Sequence, residues 1–190
     1  MLLARALTLG GLVAVALAFT SACSGDDDDD AGPDDSAADA EWVTTTDAAS
    51  GISFELPEQV EPQTEQIPAP NGDTLTATIY FVEVGDTGGV SAAVYTVPSG
   101  TQSFDLNGSV EGTAQSIGGS VTSTTDATID ERAALEADIA FTQNGVEGRD
   151  VVAVVVVDDT YVLQLQSLGE ADADTIDTLF QRLVAGVALP

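Results

Sequence analysis

One stretch of the chain, Asp150–Leu168, constrains the fold more than any other. It begins with seven consecutive small or β-branched apolar residues, Val151–Val157, a composition that is typical of β-strands. Because this run does not alternate between polar and apolar residues, it predicts a strand that is buried on both faces and is therefore central in a sheet. The polar residues 158–160 predict a turn. The segment after it, Tyr161–Leu168, predicts the second strand of a hairpin, with a solvated face that carries its glutamines.

The pattern beyond residue 41 predicts more strands and two helices. Strands are predicted at Trp42–Thr46, Gly51–Pro57, Leu75–Val84, Val90–Val97, Val121–Thr128 and Ala133–Thr142, and helices at Asp105–Ile117 and Asp172–Gly186. The threonine-rich strand at 121–128 is expected near an edge, and four prolines between residues 57 and 70 predict an extended loop up to Asp73. The predicted fold class is α+β: a mostly antiparallel β-sheet of about six to eight strands with two main helices packed on it.

The charge of the chain excludes one class of partner. Among 190 residues there are 32 aspartates and glutamates, four arginines, and neither lysine nor histidine, so the formal net charge is −28. Such a surface repels phosphate backbones, and nucleic acid is therefore excluded as a partner. Arg132, Arg149 and Arg182 are expected to be structural counter-ions to neighbouring carboxylates. The functional alternative is that they form a cluster that binds an anion.

The absence of histidine and lysine also removes most catalytic chemistry. A Ser-His-Asp triad, a Cys-His pair and a P-loop cannot be built, and with a single cysteine, Cys23, typical zinc sites are missing too. No residue is therefore predicted to be catalytic, to bind a cofactor or to ligate a metal. The remaining alternative is a carboxylate pair of the kind that glycosidases use, but nothing singles out two of the 32 acids. The prediction is that the protein is not an enzyme.

The first 22 residues have the layout of an export leader. Arg5 supplies the positive charge, Leu7–Phe19 is an apolar core, and small residues at 20–22 precede Cys23. The apolar stretch is shorter than the roughly 20 residues that a membrane-spanning helix needs. A cysteine at this junction, followed at once by polar residues, resembles the lipobox of bacterial lipoproteins, which implies that Cys23 carries a diacylglyceryl group and becomes the N-terminus. The alternative is ordinary secretion with a free thiol.

The next segment, residues 23–41, separates the leader from the folded part. It contains five consecutive aspartates and further acids among Gly, Pro, Ser and Ala, without apolar periodicity. A segment of this composition cannot bury enough surface to offset its ordering entropy, so it predicts a disordered acidic tether. The predicted organisation is a lipoprotein signal peptide at 1–22, the tether at 23–41 and a single domain at 42–190.

The order of the predicted elements resembles a known fold. The predicted order is a strand pair, two strands, a helix, four strands and a second helix. This order resembles that of the PsbP-like α/β/α sandwich. The resemblance is carried by three segments, GISFELP, RDVVAVVVVDDTYVLQLQS and LFQRLVAGVAL. This fold occurs in photosystem extrinsic subunits, in a nuclear import factor that binds the GTPase Ran, and in actinobacterial lipoproteins. The resemblance implies a bacterial, actinobacterial lipoprotein with an accessory, partner-binding domain that lacks catalysis. It transfers no functional residue.

Two functions follow from these features. The first is a non-catalytic accessory module, lipid-anchored through Cys23 on the extracytoplasmic face of the cell membrane, that binds a protein of the cell envelope. The second is a carrier that holds a small apolar or amphiphilic ligand in a cleft between the first helix and the sheet. The carrier depends on two helix glycines, Gly108 and Gly112, and on the proline-rich loop. An apolar cavity under the helix would favour the carrier, and an exposed apolar patch on a packed domain would favour the module.

Overall fold

The computed structural model describes residues 41–68, 74–85, 88–98, 104–171 and 174–190. The predicted signal peptide, Cys23 and nearly all of the tether lie outside the described residues. Within these ranges the chain forms nine strands and two helices. They are β1 (Val43–Thr46), β2 (Ser53–Leu56), β3 (Gln63–Pro68), β4 (Thr74–Val84), β5 (Gly88–Thr96), α1 (Leu106–Ser116), β6 (Ser120–Ile129), β7 (Arg132–Gln143), β8 (Val146–Val156), β9 (Tyr161–Glu170) and α2 (Thr175–Ala185).

Seven of the described strands form one sheet in the order β3-β4-β5-β9-β8-β7-β6, and β1 pairs with β2 in a separate hairpin. Every neighbouring pair in the large sheet is antiparallel. The predicted fold class is therefore confirmed, both in the sheet and in the two helices packed on it. The threonine-rich strand β6 lies at an edge, as predicted, because no strand in the described ranges pairs with its outer side.

Strand β8 is buried on both faces, because the sheet separates two hydrophobic cores. Val152 and Val154 point into the core under α1, whereas Val151, Ala153 and Val155 point into the core under α2. We call these two sides of the sheet the α1 face and the α2 face. The β1–β2 hairpin packs beside α2. The unbroken apolar run thus occupies the position in an α/β/α sandwich that requires apolar side chains on both sides.

Strand β9 contradicts the prediction that the second arm of the central hairpin has a solvated face. It lies in the middle of the sheet, between β5 and β8, where both faces are covered. Gln164 is only 1% exposed and Gln166 is half-buried. Glutamine usually marks a solvated strand face, but here both glutamines belong to a buried polar row on the α1 face.

The proline-rich segment contains a strand that the sequence pattern does not predict. β3 lies within the expected extended loop and pairs antiparallel with β4. Its prolines are compatible with this role, because Pro62 precedes the strand and Pro68 ends it. Proline is tolerated at such positions on an edge strand, where its missing N–H does not remove a bond from the interior of the sheet.

The two helices pack through different kinds of side chain. α2 buries an apolar stripe, which includes Ile176, Leu179 and Leu183. The buried face of α1 consists of smaller residues and includes the hydroxyls of Ser109 and Thr113. The interface between α1 and the sheet is therefore partly polar, whereas the core under α2 is almost wholly apolar.

Two tight turns fix the register of the strands β6, β7 and β8. Asn144 and Gly145, which join β7 to β8, have φ values of 54° and 86°. Asp130 and Glu131 join β6 to β7 with φ values of 44° and 65°. Two successive residues with positive φ match the right-handed twist of the strands that they connect. The turn at Asp130 and Glu131 determines which residues of β6 lie opposite which residues of β7.

Candidate functional site

Cys23 is the single site residue predicted from the sequence, and it lies outside the described residues, so its lipidation stays a prediction. Within the described ranges, no three histidine, cysteine or acidic residues are grouped so that they could hold a metal ion. No helix in the same ranges combines the length and hydropathy needed to cross a membrane. The features of this domain that bear on function are two polar clusters and one sheet edge.

On the α2 face, Arg149 holds two carboxylates together. Its Nε donates to Asp138 Oδ1 at 2.7 Å, and its Nη1 donates to Asp177 Oδ2 at 2.9 Å. Asp138 lies on β7 and Asp177 in the first turn of α2, so the guanidinium links the helix to the sheet. Ser123 on β6 donates a further bond of 3.0 Å to Asp138 Oδ2. The bond to Asp177, followed by those to Asp138, raises the pKa of Arg149, although burial acts in the opposite direction.

The three arginines of the domain contact three different parts of it. Arg149 has the structural counter-ion role expected from the sequence. Arg132 donates through Nη2 to the backbone carbonyl of Pro190 at 3.5 Å. Arg182 lies over the ring of Trp42, with its Cζ 5.0 Å from the ring centroid. The contact of Arg132 ties the C-terminus to the start of β7, and the contact of Arg182 ties α2 to the start of the domain.

A cleft of about 350 Å³ opens beside Arg149, between α2 and the strands β7 and β8. It is lined by three carboxylates, Glu136, Asp138 and Asp177, by Arg149, and by apolar side chains that include Val151 and Phe180. The cleft exists because α2 packs mainly on β9, β8 and β2 and leaves the outer strands of this face uncovered. With three acids against one guanidinium, its charged lining is predominantly negative.

On the α1 face, a row of polar side chains crosses three adjacent central strands. Ser91 on β5 donates to Gln166 Oε1 on β9 at 3.4 Å, and Gln166 Nε2 donates to Asp150 Oδ2 on β8 at 3.0 Å. Asp150 is 1% exposed. Burial raises the pKa of its carboxyl to about 7, and the bond from Gln166 lowers it by a smaller amount. The carboxyl is therefore largely protonated below neutral pH.

Among the described residues, Asp150 has fewer hydrogen bonds than the other buried carboxylate, Asp47. Asp47 is 3% exposed and accepts three hydrogen bonds, from the backbone and hydroxyl of Ser50 and from the hydroxyl of Tyr80. Asp150 Oδ1 has no hydrogen-bond partner within the described part of the chain. In the same ranges both amide atoms of Gln164 and the hydroxyl of Ser109 also lack partners. These unpartnered groups lie on the two sides of the interface between α1 and the sheet.

The signal for this polar row was present in the sequence but was ambiguous. Asp150 directly precedes the buried run of β8, and two glutamines alternate with leucines in the strand that pairs with it. Alternation of this kind indicates a solvated face in most antiparallel strands. The position of β9 in the centre of the sheet depends on pairing with β5, about 70 residues earlier, which local patterns do not report.

The edge strand β6 is exposed along most of its ten residues, which read SVTSTTDATI. It pairs with β7 on one side, and a bulge between Val121 and Ser123 interrupts the register near its start. From Ser123 to Ile129 the pairing is continuous. Asp126 is the only charged residue in the strand, which contains no proline. The outer side of this stretch therefore presents main-chain donors and acceptors that another extended chain can bind.

Among the described residues, neither of the two features that would separate the predicted functions is present in a simple form. The 350 Å³ cleft lies under α2 and has charged walls, and a more open cleft of about 470 Å³ borders the end of α1 at Gly118 and Gly119. Neither is an enclosed apolar cavity under α1. Among the described residues, the exposed large apolar side chains are Val43 and Val146, which lie on different sheets. A docking surface on this part of the chain is therefore a polar one.

The sequence matches no protein-family model and no curated protein. The structure is similar to the solution structure of cyanobacterial PsbP (CyanoP) from Synechocystis sp. PCC 6803, with 14% identity, a TM-score of 0.50, and coverage of 80% of this chain and 94% of that chain. It is also similar to LpqN, a protein involved in cell envelope biogenesis in Mycobacterium tuberculosis, with 15% identity, a TM-score of 0.42, and coverage of 83% and 80%. The domain has a PsbP-like fold, as the element order predicts. At these identities the likeness concerns the fold alone.

Proposed function

We propose that this chain is an actinobacterial lipoprotein, anchored on the extracytoplasmic face of the cell membrane by a diacylglyceryl group on Cys23, and that its domain is a non-catalytic module that binds an envelope protein. The leader and the cysteine at its end support the anchor. Two acyl chains give stable anchoring, whereas one gives only marginal binding. The acidic tether supports a spacer role, because a run of like charges repels itself and extends.

The open edge of β6 is the observation that carries the binding function. Addition of a partner strand to a sheet edge uses main-chain hydrogen bonds for affinity and alternate side chains for selectivity. It therefore requires no exposed apolar patch, and it fits the polar surface of this domain. Natural proteins usually blunt such edges with proline, charged side chains, bulges or very short strands. The continuous part of β6 follows the bulge, contains no proline and has Asp126 as its one charged residue.

The opposite edge of the sheet provides a contrast within the same molecule. β3 has six residues, compared with ten in β6, and it ends at Pro68. Pro62 also directly precedes it. A short strand bounded by prolines offers few main-chain groups to an added chain. The binding function is therefore assigned to β6.

Site-specific photocrosslinking in intact cells tests the binding function. A photoreactive amino acid replaces Thr124, an exposed residue of β6, and the matched variant carries it at Thr64, an exposed residue of β3. We expect one distinct envelope protein to crosslink at position 124 and not at position 64. Equal labelling at both positions, or no adduct at position 124, would contradict the assignment of β6 as the docking edge.

Mass spectrometry of the mature protein tests the anchor separately. We expect an N-terminal Cys23 that carries a diacylglyceryl group, and a Cys23→Ser variant that is lost from the membrane fraction. The matched control is Ser24→Ala, which changes the neighbouring residue and leaves the sulfur in place. A mature chain with a free thiol and no acyl mass would rule out lipidation and leave ordinary secretion.

One observation favours a second candidate, the carrier. The unpartnered groups of Asp150, Gln164 and Ser109 border the interface under α1, and such groups bind a polar or amphiphilic small molecule more readily than a purely apolar one. Native mass spectrometry of protein purified from its host is expected to detect a bound small molecule if the carrier is correct. Gln164→Leu would then abolish the adduct, whereas Gln143→Leu at an exposed strand end would preserve it.

A further inference from the structure

We propose that β6 and the carboxylates beside it bind an extended cationic segment of the partner protein, with lysine or arginine at alternate positions. We call this surface the acidic edge; it consists of Ser120–Ile129 together with Glu136, Asp138 and Asp177. The proposal rests on the proposed binding function and adds the chemical class of the partner.

The main chain of β6 gives the acidic edge its length. Pairing with β7 is continuous from Ser123 to Ile129, so the outer side of seven residues is free of the bulge that precedes them. At about 3.3 Å per residue, this stretch is roughly 23 Å long. A partner strand of similar length can form a regular antiparallel or parallel ladder there. The surface is thus built for an extended chain and not for a helix.

The pairing of β6 with β7 places two carboxylates next to this ladder. Thr125 lies opposite Glu136, and Ser123 lies opposite Asp138. Directly opposed residues of antiparallel strands share a face, so both carboxylates lie on the α2 face, one strand inside the edge. The two β6 residues between them and the edge have short hydroxyl side chains, which leave room for long side chains to cross β6.

The spacing of the carboxylates matches the spacing of alternate residues in a partner strand. Glu136 and Asp138 are two residues apart on β7, which corresponds to about 7 Å along the strand. Side chains at alternate positions of an added strand repeat at the same interval and point to the same face. Two cationic side chains at such positions can therefore face Glu136 and Asp138 in register.

The charge of the acidic edge favours a cationic occupant. Arg149 already binds Asp138 and Asp177, whereas Glu136 has no ion pair among the described residues. The chain as a whole carries a net charge of −28, which attracts cationic segments and accelerates their association. The same charge disfavours a second copy of this chain on the edge, because like-charged surfaces repel. The occupant is therefore a segment of a different protein.

Synthetic peptides test the partner class directly. The probe is a nine-residue peptide of alternating threonine and lysine, capped at both ends. In the first control peptide, glutamate replaces lysine. In the second, alternate backbone amides carry an N-methyl group. The full mature chain is titrated with each peptide at 50 and 300 mM NaCl. We expect the lysine peptide to bind, its Kd to rise at least fivefold at the higher salt, and both controls to bind at least tenfold more weakly.

A pair of charge-matched variants localises the site. Glu136→Gln removes a carboxylate of the acidic edge and leaves the bonds of Arg149 intact, whereas Glu65→Gln removes one from β3 at the opposite edge. We expect Glu136→Gln to raise the Kd of the lysine peptide at least threefold, and Glu65→Gln to leave it unchanged within experimental error. Hydrogen exchange of backbone amides in β6 is expected to slow at least tenfold when the peptide binds, with no change in β3.

Each contrary outcome overturns the proposal. Equal losses for Glu136→Gln and Glu65→Gln would show attraction to net charge alone, and binding without protection of β6 would place the peptide elsewhere. A concentration-dependent dimer that protects β6 in analytical ultracentrifugation and exchange experiments would make a second copy the occupant. If the lysine peptide fails while position 124 still crosslinks a protein in cells, the binding function stands and the cationic class is wrong.

Discussion

Asp138 and Asp150 lie on neighbouring strands of the same sheet, but they are stabilised in opposite ways. Asp138, on the α2 face, forms an ion pair with Arg149 and accepts a bond from Ser123. Asp150, on the α1 face, is buried, and Gln166 is its hydrogen-bond donor. Arg149 directly precedes Asp150 in the chain. Because successive residues of a strand point to opposite faces, Arg149 lies on the same face as Asp138 and on the opposite face from Asp150.

Asp138 and Asp150 show two ways in which a chain with few cations stabilises its carboxyl groups. A carboxylate in a folded domain can be kept charged by a cation or by several hydrogen-bond donors, or, when it is buried, it can be protonated. The cleft on the α2 face uses the first solution, and Asp150 uses the last, with its pKa raised by burial to about 7. The residues opposite Asp150 on its two neighbouring strands are Ile139 and Leu168, neither of which titrates.

Replacing Asp150 with asparagine is expected to have the largest effect. The folded pKa is about 7 and the ordinary value is 3.8, so the folded protein holds a proton that the unfolded chain releases between these pH values. Stability is therefore lost as the pH rises through this window, by on the order of 4 kcal/mol in total. Asparagine does not ionise. We expect Asp150→Asn to match the wild type at pH 4 and to be more stable at pH 8 by this order.

Urea denaturation of both proteins between pH 4 and pH 8 measures the difference. Asp126→Asn, on the exposed strand β6, is the control for the change in net charge. The interpretation of Asp150 fails if the stability difference between Asp150→Asn and the wild type is the same at all pH values. It also fails if Asp126→Asn produces an equal dependence on pH.

Replacing Gln166 with leucine is expected to have the next largest effect. The variant removes the donor to Asp150, and because that bond lowers the pKa, its loss raises the pKa further. A buried polar group left without its partner costs about 1–3 kcal/mol. We expect a loss of this size at pH 8 and a smaller loss at pH 5, where the carboxyl is protonated. Gln143→Leu at the exposed end of β7 is the control, and equal losses at both pH values would argue against a role for the carboxylate.

The sequence predicts the sheet better than it predicts either polar cluster, for a physical reason. The apolar run of β8 reports burial directly, so its central position follows from composition alone. Gln164 and Gln166 indicate only that this face of the strand is polar. Whether such a face is exposed to solvent or forms a buried polar row depends on the pairing of β9 with β5. The sequence pattern does not predict β3, because its prolines indicate a loop unless the strand lies at an edge. Register and edge position are properties of the assembled sheet, not of a local window.

The same limit applies to the ion pairs on the α2 face. Arg149 was expected to pair with neighbouring carboxylates, and one of its partners is Asp177 on α2. That these two residues meet depends on how α2 lies across β8, which is determined by the packing of its apolar stripe. Once a strand is known, strand alternation predicts the face to which each of its side chains points. Strand alternation does not predict which residue of another element that side chain contacts.

Replacing Arg149 with glutamine is expected to have a smaller effect than either change on the α1 face. The side chains of Arg149 and Asp138 are 32% and 33% exposed, so solvent screens their attraction. We expect a loss of about 1 kcal/mol at low salt, which decreases in 1 M NaCl. Chemical denaturation at the two salt concentrations measures it, with Arg132→Gln as the charge-matched control. A loss equal to that of Gln166→Leu and independent of salt would show that the two faces are stabilised in the same way.

Replacing Asp177 with asparagine is expected to have the smallest effect. Its side chain is 54% exposed, and Arg149 retains Asp138 as a partner, so we expect a loss of about half a kcal/mol. Part of that loss is independent of Arg149, because a negative charge in the first turn of α2 also interacts with the helix dipole. Measuring Asp177→Asn in the wild type and in Arg149→Gln separates the two contributions. The dipole contribution persists in both backgrounds, whereas the ion-pair contribution disappears in the second. Equal losses in both backgrounds would show that the bond from Arg149 to the helix adds no stability, and that Asp138 alone determines the effect of the arginine.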